Sequence, residues 1–327
     1  FSWRFVEAPF RNKQTLTRNK IFLFSIVCIV IFSSIGFSMH LKNGYAGRVS
    51  FTEELRSTFV RPLKENCFAM PYNHSAEQWG CILGRDEGDI SFILFGDSHS
   101  LSLKTIIDEK AKQKGVKVFY TGSNGCIPLI GIHPQRNDQH VNNCNLLNER
   151  VFQLAKDINL KGIILAARWS YYTLGDYSLS GAQLISDKAI GPFNLQHSID
   201  TFSNAFDITV KKFSSIEVPI HIITQSPHQK YSPDSVYFSV AKGIGSVESM
   251  AVKRSDFEKL NQIPTNIFLR HDRDINIHDI TDLFCDESLC ALGEQGRSFY
   301  YDDNHLSTYG ALRLEKTIEK IFERSSP

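Results

Sequence analysis

Ser91-Phe92-Ile93-Leu94-Phe95-Gly96-Asp97-Ser98-His99-Ser100 is an apolar run that closes on glycine, aspartate and serine and then passes into a helical pattern. A short, uninterrupted run rich in Phe and Ile reads as a strand covered on both faces. Such strands belong to parallel sheets with helices packed on either side. Downstream the alternation repeats. The pattern predicts strands at 90–95, 116–120, 162–166, 220–224 and 266–269, and helices at 100–114, 146–159, 198–213, 247–262 and 308–323. The expected fold class is therefore α/β, with a parallel sheet between helical layers. Open sheets of this kind hold ligands at the carboxyl ends of their strands. Ser98 follows the first strand and stands in that place.

A serine alcohol is a weak nucleophile until an imidazole removes its proton, and the imidazole works best when an acid holds its far nitrogen. Asp302-Asp303-Asn304-His305, just before the last helical pattern, supplies both. Ser98 is the candidate nucleophile, His305 the base and Asp302 the orienting acid, with Asp303 as the alternative acid. Asp97 is assigned to the turn, and His99 to structure, because neighbours on a turn point different ways. An oxyanion needs donors aimed at its charge. The N–H of Ser98 is one candidate. The glycines of Thr121-Gly122-Ser123-Asn124-Gly125-Cys126 offer another, Gly125 ahead of Gly122, although the same residues would make a plain turn. After the third strand, Arg168 could bind a polar substrate group. Trp169, Tyr171 and Tyr172 could form a shelf for a sugar ring, or simply pack in the core. The polar, glycine-containing stretch 227–246 after the fourth strand could be a mobile loop over the site or an excursion of no functional consequence.

Formal net charge over 327 residues is +1, which argues against a general electrostatic grip on nucleic acid. The chain begins at Phe1 and reads as a piece of something longer. Ile21–Met39 is uncharged and almost wholly apolar. At 1.5 Å per residue it nearly covers a hydrocarbon core of about 30 Å. Arg11, Lys13, Arg18 and Lys20 precede it, so the positive-inside bias puts residues 1–20 in the cytoplasm and everything after His40 on the far side. A cleaved signal peptide would show a shorter apolar region and a small-residue cleavage site. A buried core helix is the other rival. Cys28 lies in this stretch, and six further cysteines follow it. An even set beyond a membrane suggests an oxidising compartment. Pairing of sequence neighbours gives Cys67–Cys81, Cys126–Cys144 and Cys285–Cys290, one of 15 possible connectivities. No metal site is expected, since no CxxC occurs and no histidine lies at zinc-finger spacing from a cysteine pair. The expected organisation is a tail and connector at 1–20, a transmembrane helix at 21–39, an extension at 40–89 and the main domain at 90–327.

Gly96-Asp97-Ser98 together with Asp302-x-x-His305 resembles the SGNH, or GDSL-like, hydrolase superfamily. The resemblance implies a flavodoxin-like three-layer α/β/α sandwich. It places the family's serine at Ser98, its acid and base at Asp302 and His305, and its oxyanion glycine at Gly122 or Gly125. The family's third block normally supplies an asparagine; here that position reads Ala167-Arg168-Trp169-Ser170. Val6-Glu7-Ala8-Pro9-Phe10-Arg11 is similar to the end of a membrane acyltransferase-3 domain. Fused members of that family, which include O-antigen (lipopolysaccharide) O-acetyltransferases of enteric bacteria, link this end through a last transmembrane helix to a periplasmic SGNH domain. The resemblance implies a bacterial inner-membrane location with the SGNH domain in the periplasm. It implies acetyl-CoA as the donor used by the fused membrane domain, no cofactor in the SGNH domain itself, and a lipopolysaccharide O-antigen glycan as acceptor. Acetyl transfer through Ser98 is the leading expectation. Hydrolysis by the same residues, as an esterase or glycan deacetylase, is the second, and a non-catalytic glycan-binding domain the third.

Overall fold

A computed structural model describes residues 3, 17–41, 51–61, 68 and 79–324. The chain forms two separate compact units, 1–51 and 52–327. In the first unit, helix α1 (Arg18–Leu41) extends the expected apolar span by a few residues at each end. It is long and apolar enough to cross a membrane, and none of its residues is buried.

The second unit is built on a six-stranded sheet: β1 (Cys81–Gly84), β2 (Phe92–Gly96), β3 (Lys117–Gly122), β4 (Gly162–Ala166), β5 (Ile220–Ile223) and β6 (Ile275–His278). The spatial order is β1-β3-β2-β4-β5-β6. Strands β2 to β6 run parallel, and β1 pairs antiparallel at the β3 edge. The parallel strands follow the doubly wound, flavodoxin-like order, whose switch point lies between β2 and β4. Every residue of β2 and β4 is buried, as a run without polar alternation requires.

Successive side chains of β2 serve opposite layers. Ile93 and Phe95 join Leu147 and Val151 of α3 (Asp138–Asp157) and Phe202 and Phe206 of α4 (Leu195–Ser214). Phe92 and Leu94 join Ile106 and Ile107 of α2 (Ser98–Gln113) and Ile318 and Phe322 near the carboxyl terminus. The three-layer α/β/α expectation is met.

Three local expectations are corrected. Residues 266–269 are the end of helix α5 (Arg254–Leu269), not a strand. Buried Phe257, Leu260, Pro264, Ile267 and Phe268 follow helical spacing, and a short apolar run read alone cannot distinguish the two states. The fifth parallel strand is β6 instead. The helix expected at 247–262 is also split: Val247–Met250 opens on a Ser246–Ser249 capping box, and Val252–Lys253 then pairs with Leu289–Cys290 before α5 begins. Finally, the region read as an extension at 40–89 contains β1, which belongs to the main sheet. Its short helix Glu53–Thr58 also docks on the domain, where the N–H of Ser298 donates to Thr58 Oγ1 at 3.2 Å. An edge strand of four residues flanked by polar loop leaves little periodic signal.

Disulfides Cys126–Cys144 and Cys285–Cys290 are formed. The Cys67–Cys81 pairing falls on Cys67, outside the described residues. Cys28 is free.

Candidate active site

The turn from β2 into α2 leaves no room for a side chain at Gly96, where a Cβ would strike the Ala166 carbonyl of β4. Asp97 then caps α2, its Oδ1 accepting from the His99 N–H at 2.9 Å. Its Oδ2 accepts from the Arg168 N–H and the Tyr172 hydroxyl, both at 3.0 Å. One buried carboxylate thus ties the β2–α2 turn to the turn after β4. Burial pushes its pKa up, more than these three donors pull it down. Ser98 is left at the first position of the helix, facing the cleft.

From the far end of the chain, the N–H of Tyr301 donates to the His305 carbonyl and closes a tight loop. Inside it, Asp302 Oδ1 accepts from the N–H groups of Asn304 and His305, at 3.0 and 2.8 Å. The same carboxylate reaches the ring: His305 Nδ1 lies 2.8 Å from Asp302 Oδ2. Burial opposes the Asp302 charge, yet the ring and backbone donors hold its pKa below the ordinary value. The ionised acid therefore fixes the proton on Nδ1. His305 Nε2, 2.7 Å from Ser98 Oγ, is left to accept the serine proton. The structure thus brings Ser98, His305 and Asp302 together in hydrogen-bonding order across 207 residues of chain.

The neighbours of this trio hold it in place. Tyr301 stacks on the His305 ring at 5.3 Å and 5°, and His99 packs against it at 4.8 Å. Burial, reinforced by the charges of His305 and Arg168, drives the His99 pKa well down and keeps its ring neutral. Asn304 Nδ2 donates to Asp303, so its Oδ1 is free to accept from His99 Nε2 at 3.0 Å. Asp303, the alternative acid, faces His228 rather than His305, with 3.5 Å between Oδ2 and Nε2.

An open cleft of about 200 Å³ exposes Ser98 and His305 beside Asn124, Gly125, Arg136, Arg168 and Tyr171. Gly125 reaches this wall through a left-handed turn at φ +62°. Gly122 does not line it. It ends β3 in register with Gly96, where a Cβ would meet the Gly96 carbonyl and the Phe68 ring. Its lack of a side chain serves sheet packing.

Arg168 lines the cleft as expected, but Trp169 does not. Trp169 is 1% exposed, its indole N–H donates to the Ile223 carbonyl at 2.9 Å, and its ring packs edge-on against Phe202 and Phe268. A large ring whose one donor is satisfied by backbone is core, not a sugar shelf. Tyr172 is likewise buried beneath Asp97, and Tyr171 alone of the three aromatics reaches the cleft. Sequence reading missed Arg136 and Asn304. Arg136 follows a two-residue ladder between His133–Pro134 and Ile185–Ser186, for which no motif exists. Asn304 lies inside the Asp-x-x-His motif, at one of its unspecified positions. A larger hollow of about 920 Å³ sits at the opposite ends of the strands, bounded by Arg85, Lys117 and Lys161, and contains no histidine.

Among solved structures, the Salmonella ser. Paratyphi A lipopolysaccharide acetyltransferase periplasmic domain matches with a TM-score of 0.54 at 16% identity, over 72% of this chain and 85% of that one. A GDSL-like lipase from Bacteroides thetaiotaomicron VPI-5482 gives 0.39 at 12% identity, over 70% and 88%. An acetyl xylan esterase, AlAXEase, gives 0.39 at 14% identity, over 72% and 99%. No curated protein gives a significant sequence match. Residues 66–320 match the family of SGNH domains fused to AT3 domains, and the chain belongs to that family.

Proposed function

We propose that this domain transfers an acetyl group to a hydroxyl of a lipopolysaccharide O-antigen sugar, with Ser98 as the covalent carrier. The observation that carries the reading is the 2.7 Å approach of Ser98 Oγ to an imidazole whose other nitrogen is held by Asp302. In the first half, Ser98 Oγ attacks the acetyl carbonyl while its proton passes to His305 Nε2. The tetrahedral adduct collapses, the donor's leaving group takes that proton, and Ser98 carries an acetyl ester. In the second half, a sugar hydroxyl gives its proton to His305 Nε2 and attacks the ester. Collapse returns the proton to Ser98 Oγ and frees the acetylated sugar. The N–H groups of Ser98 and Gly125 are proposed to receive the oxyanion.

Fusion of this family to AT3 domains supports a membrane partner that delivers the acetyl group. In this reading that partner is the chain's own acyltransferase-3 domain, drawing on acetyl-CoA in the cytoplasm. Helix α1 anchors the SGNH domain on the periplasmic face of the bacterial inner membrane. The acceptor class comes from the printed identity of the Salmonella neighbour and is carried over here as part of the proposal.

Hydrolysis is the second reading, favoured by the openness of the cleft, which gives water access to the acetyl ester. Incubation with an activated acetate ester, with and without glycan, separates the two. Slow turnover accelerated by glycan supports transfer, and fast turnover indifferent to glycan supports an esterase. Ser98→Ala should abolish both O-polysaccharide acetylation and ester turnover while the chain stays folded. Normal acetylation by that variant would remove Ser98 from the reaction.

A further inference from the structure

The wall beside Ser98 carries two guanidinium groups, Arg136 and Arg168, that form no ion pair with a carboxylate among the described residues. Arg136 Nε donates to the Gln183 side-chain oxygen at 2.6 Å, and Nη2 lies 3.4 Å from the Tyr171 hydroxyl. Arg168 Nη2 donates to His228 Nδ1 at 3.2 Å, its Cζ lies 5.0 Å from the Tyr171 ring, and its Nε is buried without a partner. Tyr171 therefore sits between them, meeting Arg136 with its hydroxyl and Arg168 with its ring. The nearby carboxylates are hydrogen-bonded elsewhere, Asp97 to the two turns, Asp302 to His305, Asp303 to His228 and Asn304, and Asp176 to Ser178; the Arg168 charge reaches Asp303 and Asp176 without an ion pair to either. Elsewhere in the domain, arginines do find carboxylates, as in Arg254 with Glu258 and Asp282 and in Arg313 with Glu294. With a net charge of only +1 over the chain, the surplus at the cleft is local.

Two planar forks on one wall match the oxygens of a carboxylate or phosphate and give charge-assisted, often bidentate hydrogen bonds. A neutral sugar can accept hydrogen bonds from these groups but brings no counter-charge to them, so it forgoes the charge-assisted gain. We infer that Arg136 and Arg168 form an anion seat that selects acceptors bearing a carboxylate or phosphate near the hydroxyl to be acetylated. This deepens the acyl-transfer reading and rests on it for the word acceptor. The seat itself can be tested without turnover.

The test titrates the full chain, in detergent and with Ser98→Ala to block chemistry, with methyl glucuronoside, methyl glucoside 6-phosphate and neutral methyl glucoside. At least one anionic glycoside should bind about tenfold or more tighter than the neutral one, the scale of a charge-assisted pair. The preference should fall with added salt. Which anion wins tells carboxylate from phosphate. Arg136→Gln and Arg168→Gln should each erase most of the preference, and Arg→Lys should restore part of it in a chain that melts like the parent. Equal binding of all three glycosides, or a preference that survives both glutamine variants, overturns the seat. In the Ser98 enzyme, the variants should slow acetyl delivery to the anionic acceptor more than they slow formation of acetyl-Ser98. An equal slowing of both steps would instead assign the arginines to the oxyanion and overturn the inference. Selective binding without any acetyl transfer would keep the seat and refute the proposed function.

Discussion

Asp303 is adjacent to Asp302 and turns the other way. Arg168 donates to His228 Nδ1, so the imidazole presents its remaining N–H at Nε2, toward Asp303. That hydrogen bond, opposed by burial, holds the Asp303 carboxyl down to about 2. A carboxyl depressed in the folded state stabilises above its unfolded value of about 3.9 and loses that contribution as pH falls through the folded one. Asp303→Asn should therefore be less stable than the parent at pH 7, with the gap closing between about pH 4 and pH 2. The Asp303 side chain is 45% exposed, so solvent screening limits the loss to about 1 kcal/mol or less. Urea melts across that range check it, and a gap that does not change with pH would show the carboxylate's charge to be irrelevant. This pair also shows what sequence can carry at the residue scale. Ser98 sits on a strand-to-helix turn, and Asp302 reaches His305 within one loop, so local spacing was enough to mark them. His228 and Arg136 arrive on irregular segments whose path depends on tertiary packing, and no local pattern announces them.

The turn after β4 shows the same limit at the scale of an element. Four consecutive residues divide between two environments: Arg168 and Tyr171 face the cleft, while Trp169 and Ser170 are buried. In a 3₁₀ turn, neighbours point about a third of a revolution apart, so a composition that looks like one aromatic shelf is split. Trp169→Phe should lower stability by about 2–3 kcal/mol, from lost packing and an Ile223 carbonyl left without its donor. The urea midpoint measures this. Discrimination between acidic and neutral acceptors should be unchanged, and a change in it would return Trp169 to the substrate site. The buried strands were legible because β2 and β4 are apolar throughout and β5 is apolar but for the buried His221. The segment 266–269 misled because Ile267 and Phe268 are equally apolar, and only their spacing from Leu260 and Pro264 reveals a helix. Strand β1 was illegible because pairing to β3, rather than any run of its own, makes it a strand.

For the whole molecule, the two units obey different solvents. The domain buries its apolar side chains in two clusters on either side of the sheet. Helix α1 exposes Phe22, Leu23, Phe24, Val27, Ile31 and Phe32, which at about 100° per residue lie around its whole circumference. Its 24 residues span about 36 Å, enough for a bilayer core of about 30 Å with some tilt. A helix apolar on every side is matched to lipid rather than to one packed face. Arg11 and Lys13 before α1, with Arg18 and Lys20 in its first turn, favour retention of that end on the cytoplasmic side. The full chain should therefore require detergent, whereas residues 52–327 alone should stay in solution and keep Ser98-dependent ester turnover. In intact spheroplasts, added protease should digest the SGNH domain and spare an epitope placed before Arg18. Protection of the domain in spheroplasts, with cleavage only in inverted vesicles, would reverse the orientation. It would also put Ser98 on the side of the membrane opposite to the one the proposed function requires.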